Sequence, residues 1–155
     1  MTQKGEESRQ RILDAAIEIA SERGYEGTTI ALVSARSGLP ASSIYWHFAD
    51  KDALVAAVIE RSFGRWLAGA GNLLVPGAPG AGDARGSVPS RRELVAAMMA
   101  STAEALLDAP DFLRLGLMLA LERWPEEPTA RTMFLRVRDE SYRRIVAAYV
   151  HLFPE

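Results

Sequence analysis

The sequence predicts an all-α protein in which a three-helix N-terminal module is followed by a larger helical bundle. Three observations lead to this fold class. Apolar residues recur every three or four positions along most of the 155-residue chain, and glycines and prolines fall mostly between these periodic stretches. No stretch alternates polar and apolar residues as a half-buried strand does. We place the boundary between the two parts after residue 50, which divides the chain into residues 1–50 and 51–155.

The first two helices of the N-terminal module are separated by a glycine. We predict the first helix over residues 9–23, because its apolar residues share one face, and Gly24 follows in a C-terminal cap position. A short second helix begins at Thr28 or Thr29, since either threonine is a fair N-cap. Gly38 ends this helix after about two turns.

The third and fourth helices have their own start signals. Pro40 suits the first turn of a third helix, where its missing N–H costs nothing, and this helix runs to about His47. Asp50 is predicted to cap the fourth helix, and Asp52 lies in its first turn, where the helix dipole favours negative charge. The apolar stripe of this helix continues to about Ala70.

The second part of the chain begins with a segment that has no periodicity. Glycines and prolines dominate residues 76–89, which we interpret as a flexible loop. Ser90 and Glu93 then form the S-x-x-E pattern of a capping box, which predicts a helix through about Leu107.

Two further helices complete the bundle. The segment that begins at Pro110 is apolar nearly all round, so we expect it to be buried on most sides. Trp124 and the proline after it end that helix. The last helix is predicted over residues 129–152.

Composition excludes several classes of protein. The formal net charge is −2 and there is no cysteine, so neither a strongly basic chain nor disulfide or thiolate chemistry is indicated. The N-terminus lacks the apolar core of a signal peptide, and no apolar run is long enough to span a bilayer. We therefore expect a cytoplasmic protein without a membrane partner.

Enzymatic chemistry finds little support in the sequence. Only two histidines are present, and neither a metal-ligand spacing, a G-x-S-x-G motif nor a phosphate-binding loop occurs. We predict no catalytic residues, no metal and no cofactor.

The second and third helices form a helix-turn-helix pattern, since both are short, a glycine-containing turn joins them, and a longer helix precedes them. The third helix must then bury one face and expose another to enter a major groove. In "SSIYWHF", Ile44 and Phe48 are four residues apart and belong to the core face. Tyr45, His47 and Trp46 are expected to point outward, with hydrogen-bonding tips suited to phosphate oxygens.

The stretch from Arg9 to Leu54 resembles the DNA-binding domain of TetR-family transcriptional regulators. It carries the pattern "TT…G…IY.HF..K..L" at the family spacing, which is much more specific than a bare helix-turn-helix and covers the first third of the chain. The matching residues are Arg9, Ile12, Leu13, Ala15, Ala16, Gly24, Tyr25, Thr28, Thr29, Val33, Gly38, Leu39, Ile44, Tyr45, His47, Phe48, Lys51 and Leu54.

The resemblance implies a helix-turn-helix domain over residues 1–50 that binds double-stranded operator DNA. Ala41 and Ser42 would lie nearest the base edges, and Lys51 would meet a phosphate together with backbone N–H groups. Trp46 stands where the family often has a basic or small polar residue, so direct readout of bases is expected to be poor. The candidate DNA-binding residues are Thr28, Thr29, Arg36, Ala41, Ser42, Ser43, Tyr45, Trp46, His47 and Lys51.

The resemblance further implies that residues 51–155 form an effector-binding and dimerisation domain. The function implied is that of a repressor that binds a palindromic operator as a homodimer and is released by a small hydrophobic effector. Taken singly, the large apolar side chains of this part are more typical of a core than of a ligand site. The candidates for lining an effector cavity are Trp66, Met98, Met118, Trp124, Phe134 and Tyr142.

Two other functions stay open on the sequence. One is a helical adaptor that binds a partner protein through its apolar faces, and the other is a constitutive DNA-binding protein without an effector. Residues 1–50 hold five basic and seven acidic residues, a net charge of −2, so only local placement can create a positive face.

Regulators that resemble this chain usually continue through two further long helices that form the dimer interface. We therefore expect the sequence to be a fragment that lacks these helices. The alternative is a dimer built from the helices that are present.

Overall fold

The computed structural model describes residues 3–70, 90–107 and 110–150, and all regular structure within them is helical. This confirms the predicted all-α fold class. The flexible loop predicted over residues 76–89 lies outside the described residues. The helices are α1 (Gln3–Arg23), α2 (Ile30–Ser37), α3 (Ala41–His47), α4 (Lys51–Ala70), α5 (Arg91–Leu107), α6 (Pro110–Leu121) and α7 (Thr129–Val150).

Helix α1 begins at Gln3, six residues before the predicted start. The first turns carry no apolar stripe, so periodicity gave no signal there. Polar side chains one turn apart hydrogen-bond to each other instead, with Gln3 donating to Glu7 at 3.3 Å and Gln10 to Glu6 at 2.7 Å. The helix therefore extends beyond its buried face.

The turn between α2 and α3 is fixed by backbone conformation and by local hydrogen bonds. Gly38 adopts a left-handed conformation with φ of 67° and its N–H donates to the Ser34 carbonyl, which ends α2. Pro40 precedes α3 as its N-cap residue in an extended conformation, so the placement of this proline inside the first turn was wrong by one position. The Ser34 hydroxyl donates to the Leu39 carbonyl at 2.7 Å and braces the turn.

One hydrophobic core joins the N-terminal module to the bundle. Helix α1 supplies its centre and packs against α2, α3, α4 and α6, while α7 packs against α4 and α6. The side chains that are fully buried include Ile12, Leu13, Val33, Ile44, Leu54, Val58, Ile59, Leu115 and Leu119. Burial of each such side chain stabilises the fold by roughly 1.5–3 kcal/mol before the cost of ordering it.

Helix α6 is less buried than its sequence predicted. Leu115 and Leu119 are fully buried, but Leu117 and Leu121 are 56% and 80% exposed. The expectation that α6 is covered on most sides was therefore wrong. Helices α1, α4, α5 and α7 all pack against α6, yet they leave Leu117 and Leu121 largely exposed.

Helix α6 also fits closely against α7 at one small residue. Gly116 is buried, and a Cβ atom added there would overlap the ring of Phe134 on α7. The absence of a side chain at Gly116 thus allows the two helices to approach each other.

The predicted caps of α4 and α5 are both present. Asp50 accepts a hydrogen bond from the Ala53 N–H at 2.7 Å. Ser90 and Glu93 form the reciprocal capping box, in which the Ser90 N–H donates to the Glu93 carboxylate at 2.7 Å and the Glu93 N–H to the Ser90 hydroxyl at 3.3 Å. No helix among the described residues is both long and apolar enough to cross a membrane.

Candidate nucleic-acid interface

The aromatic cluster of α3 divides between core and surface as the spacing predicts. Ile44 is fully buried and Phe48 is 5% exposed, whereas Tyr45 and Trp46 are 56% and 68% exposed. Helix α3 therefore rests on α1 and α2 through one face and presents two large aromatic side chains on the other. A hydroxyl and an indole N–H on that face are able to donate hydrogen bonds to nucleic acid.

His47 lies at the edge of this surface and is half-buried. Its ring meets the Trp46 ring edge-on, with centroids 4.5 Å apart. Burial lowers the pKa of His47, the Arg9 guanidinium lowers it further, and Glu6 opposes both. Burial and the Arg9 charge thus favour the neutral imidazole in the chain without DNA.

Contacts from α1 hold the helix-turn-helix, formed by α2 and α3, in place. The Arg11 guanidinium donates to the Ser37 carbonyl at 2.7 Å, at the end of α2. The Arg9 guanidinium lies 5.4 Å from the centre of the Phe48 ring at the end of α3. These contacts fix the orientation of the exposed face relative to α1.

The two threonines before α2 have different roles. Thr29 is exposed, and its hydroxyl accepts a hydrogen bond from the Leu32 N–H as the N-cap. Thr28 is fully buried, and its hydroxyl donates to the Gly24 carbonyl at 2.8 Å. The structure therefore contradicts Thr28 as a DNA-binding residue, because a buried hydroxyl that is already paired does not reach a phosphate.

Ion pairs neutralise some of the acidic side chains of the module. Arg36 pairs with Glu18 at 2.7 Å, with both side chains about half exposed. Asp14, one turn before Glu18 on α1, pairs with Arg61 of α4 at 2.9 Å. These acids are held by basic side chains of neighbouring helices, which reduces the negative potential around the module.

Lys51, the predicted phosphate contact, begins α4 and is held by residues of the turn between α1 and α2. Its Nζ donates to the Tyr25 carbonyl at 3.3 Å and lies 4.0 Å from the centre of the Tyr25 ring. Glu26 approaches the same Nζ to 3.7 Å. The side chain of Lys51 remains 27% exposed, so it is anchored at its tip without being removed from solvent.

Sequence reasoning missed the role of two residues beside Lys51. Asp52 accepts hydrogen bonds from the Thr129 and Ala130 N–H groups at the start of α7. The Tyr25 hydroxyl also donates to Asp52, and burial together with the negative charge of Asp52 raises the pKa of Tyr25 to about 12. Tyr25 belongs to the quoted motif, but no local signal connects either residue to α7.

The predicted effector-site residues that the structure describes have different immediate neighbours. Trp124 packs edge-on against Tyr25, with ring centroids 5.1 Å apart, and its indole N–H donates to the Leu119 carbonyl. Tyr142 is 69% exposed on α7. Trp124 thus joins the bundle to the N-terminal module, and Tyr142 lies on the outer surface, so neither position fits the lining of a cavity within this chain.

The other predicted effector residues have separate surroundings. Phe134 fills the space above Gly116, and Met118 lies beside Gly24, where its sulfur is 3.4 Å from the site of an added Cβ. Trp66 stacks against Phe63 with ring centroids 5.8 Å apart, and its buried Nε1 has no hydrogen-bond partner among the described residues. The side chain of Met98 lies outside the described residues.

The fold and this surface define a class, namely a helix-turn-helix module carried on a helical bundle. Residues 12–58 match the family model described as bacterial regulatory proteins, tetR family. The N-terminal module is thus similar to the DNA-binding domain of the TetR family of transcriptional regulators.

Relatives with assigned names match a stretch of about 60 residues of the chain. The HTH-type transcriptional regulator AcrR of Shigella flexneri is 37% identical over 60 residues, 39% of this chain and 28% of that protein. The HTH-type transcriptional repressor KstR of Mycolicibacterium smegmatis is 37% identical over 59 residues, 38% and 29% of the two chains. The negative transcriptional regulator IcaR of the icaADBC biofilm operon in Staphylococcus epidermidis is 30% identical over 59 residues, 38% and 32%. The chain thus spans less than a third of the length of these relatives.

Solved structures extend the similarity of fold to nearly the whole chain. A TerR/AcrR-family regulator from Aquifex aeolicus superimposes with a TM-score of 0.66 over 95% of this chain and 74% of its own, at 21% identity. The fatty acid degradation regulator FadR of Bacillus halodurans gives a TM-score of 0.66 over 92% and 66%, at 13% identity. At these identities the structures establish the fold alone.

Proposed function

We propose that the chain is a DNA-binding transcriptional repressor that acts as a homodimer in the cytoplasm on a palindromic operator. The observation that carries this proposal is the division of α3, which buries Ile44 and exposes Tyr45 and Trp46 on a rigidly braced helix. The names of the relatives support the sense of regulation, since one is a repressor and another a negative regulator.

The exposed residues of the module suggest how contacts to DNA are divided. Ala41, Ser42 and Trp46 would face base edges, and the Trp46 ring suits a thymine methyl group better than a guanine edge. Thr29, Ser43, Tyr45, His47 and Lys51 would contact phosphates or sugars, with Arg36 adding positive potential nearby. In a two-fold symmetric pair, the two copies of α3 would lie about 34–36 Å apart, one turn of DNA.

Exposed apolar side chains on α7 support the homodimer. Tyr142, Val146 and Val150 are four residues apart and all exposed, so they form a stripe along one face of the helix. A second copy of the chain would cover such a stripe, as apolar surface is usually covered at permanent interfaces.

The test is duplex binding by the Lys51→Ala variant as a function of salt concentration. The variant should bind every sequence more weakly, and the slope of log affinity against log salt should fall by about one unit for each Lys51 in contact. Arg138→Ala is the matched control, because Arg138 is an exposed cation on α7 whose removal changes the net charge equally. A sedimentation measurement on the wild-type chain bound to its operator duplex should give two chains per duplex.

Two outcomes would contradict the proposal. If the wild-type chain shows no salt-sensitive binding to any duplex, a protein-binding adaptor becomes the better reading. If Lys51→Ala and Arg138→Ala lose the same affinity, the loss reflects net charge, and Lys51 does not contact phosphate.

We further propose that the bundle binds a small hydrophobic effector that releases the DNA. The support comes from Trp66, which stacks against Phe63 and whose buried N–H has no acceptor within the part of the chain that the structure describes. An effector with a carbonyl or hydroxyl group would satisfy this donor while its apolar part covers the rings.

Planar apolar compounds should be screened for quenching of tryptophan fluorescence, with Trp66→Phe as the control variant. A true effector should quench the wild type more than the variant and weaken duplex binding. If quenching compounds never change DNA affinity, the constitutive alternative is favoured, because a ligand with equal affinity for both states shifts neither.

A further inference from the structure

The first turn of α7 takes half of its cap from another helix. An α-helix leaves its first four N–H groups without a partner inside the helix. In α7 the Pro128 carbonyl accepts from the Arg131 and Thr132 N–H groups at 3.0 and 3.2 Å. The other two donors, Thr129 N–H and Ala130 N–H, point to the two carboxylate oxygens of Asp52 at 2.7 and 2.9 Å. All four groups are thus paired, and Asp52, which lies 77 residues before Thr129, completes the cap.

Asp52 interacts with α7 as a charged group. Burial raises the pKa of Asp52, but the hydrogen bonds from Ala130, Thr129 and Tyr25 outweigh burial and lower it overall. The carboxylate is therefore ionised at neutral pH at the positive end of the α7 dipole. Charge-assisted hydrogen bonds of this kind are roughly twice as strong as neutral ones.

The same turn of α4 carries Lys51, and Tyr25 contacts both residues. The Tyr25 hydroxyl donates to Asp52, while its carbonyl and ring hold the Lys51 ammonium. The Tyr25 ring also packs nearly at right angles to the Trp124 ring, in the turn before α7. Tyr25 is therefore the buried side chain at which three segments meet, namely the first turn of α4, the α1–α2 turn and the α6–α7 turn.

This arrangement limits how α7 moves relative to the DNA-binding module. A shift of the first turn of α7 either breaks two charge-assisted hydrogen bonds to Asp52 or displaces the first turn of α4. Displacement of that turn moves Lys51, because the two residues are adjacent in the same helical turn.

We propose that Asp52 is a positioning residue for DNA binding, which ties the Lys51 phosphate contact to the first turn of α7 by capping that helix from α4. The proposal rests on the DNA-binding function proposed above. In this proposal, a change in the bundle alters the affinity for DNA through the Asp52 carboxylate and the two amides that it accepts from, those of Thr129 and Ala130.

The test is hydrogen exchange at the Thr129 and Ala130 amides, measured on the full chain by NMR or mass spectrometry. The probe is a mixed-sequence duplex of two helical turns, roughly 20 bp, at low ionic strength, where phosphate contacts dominate. Duplex binding should slow exchange at both amides several-fold, because engagement of Lys51 fixes the first turn of α4. In Asp52→Asn, exchange should be faster without DNA and should no longer respond to the duplex.

Ser90→Ala is the matched control, because Ser90 caps α5 through a purely local pair. It should speed exchange at the Glu93 amide equally with and without DNA, and leave the response of Thr129 and Ala130 intact. If the Asp52 cap were only structural, Asp52→Asn would likewise speed exchange at Thr129 and Ala130 equally with and without DNA.

The outcomes separate the two proposals. A duplex that binds without changing exchange at Thr129 and Ala130, or an Asp52→Asn variant that keeps the wild-type response, overturns the role of Asp52 alone. Absence of duplex binding overturns the proposed function and the inference with it. If Asp52→Asn fails to fold, the response of the wild-type amides to the duplex decides the question.

Discussion

Two large apolar side chains are exposed in the N-terminal module, among described residues 3–50, and both lie side by side on α3. Seven are exposed on the described parts of α5, α6 and α7, where they spread over all three helices and include Met99, Leu107, Leu121 and Tyr142. The module therefore concentrates its exposed apolar surface where a groove of DNA is proposed to lie. The bundle distributes such surface, which is typical of helices that associate with further partners.

The two regions also differ in how far apart in sequence their hydrogen-bond partners lie. In the module, most bonds that end α2 and begin α3 span five residues or fewer, such as the one from Ser34 to Leu39, and Arg11 of α1 adds one long-range bond to Ser37. In the bundle, α7 depends on Asp52 of α4 for half of its cap. Local bonds make the helix-turn-helix rigid as a unit, while long-range bonds make the start of α7 sensitive to the position of α4.

The largest expected effect tests the division of α3. Ile44→Ala removes a fully buried side chain, and we expect the free energy of unfolding to fall by about 2–5 kcal/mol in urea denaturation. Trp46→Ala is the control from the same helix, and since Trp46 is 68% exposed it should change stability by less than about 0.5 kcal/mol. Equal losses for the two variants would show that α3 has no distinct exposed face.

The next effect tests the junction between the two regions through alkaline pH. Since the pKa of Tyr25 is raised to about 12, the folded state favours the neutral phenol. Its contribution to stability is complete below the unfolded pKa near 10 and is lost as pH rises towards 12, by roughly 2–3 kcal/mol for a shift of this size. Urea denaturation from about pH 8, below both pKa values, to about pH 12 measures this loss.

Tyr25→Phe should remove most of that alkaline loss, because the phenol no longer ionises. Tyr142→Phe is the control, since Tyr142 is 69% exposed and its substitution should leave the pH dependence unchanged. If both variants follow the wild-type curve, Tyr25 is not buried against Asp52.

The smallest expected effect compares two glycines inside helices. Gly116→Ala places a methyl group against the Phe134 ring, and we expect overpacking to exceed the gain in helix propensity and to destabilise the fold by about 1–2 kcal/mol. A Cβ atom at Gly64 of α4 meets nothing within 4 Å, so Gly64→Ala should stabilise by about 0.5–1 kcal/mol. Thermal denaturation gives both signs, and a stabilised Gly116→Ala would contradict the close approach of α6 and α7.

The sequence alone predicted those features that depend on neighbours within about five residues. Gly38 ended a helix because only glycine adopts its conformation freely, and Ser90 and Glu93 capped α5 because each reaches the other's N–H across one turn. The burial of Ile44 and Phe48 followed from their spacing of four residues. The position of Lys51 at the start of α4 followed in the same way from the cap at Asp50.

Tertiary structure decided the features that join distant parts of the chain. Thr28 and Thr29 are equivalent caps by sequence, and only packing buried the hydroxyl of Thr28. The apolar pattern of α6 was compatible with full burial, but the neighbouring helices cover one of its faces. Asp52 was placed correctly in the first turn of α4, yet its bonds to α7 required helices far apart in sequence to meet. A side chain's type limits which hydrogen bonds it can form, and the packing of the helices determines which partner lies within reach.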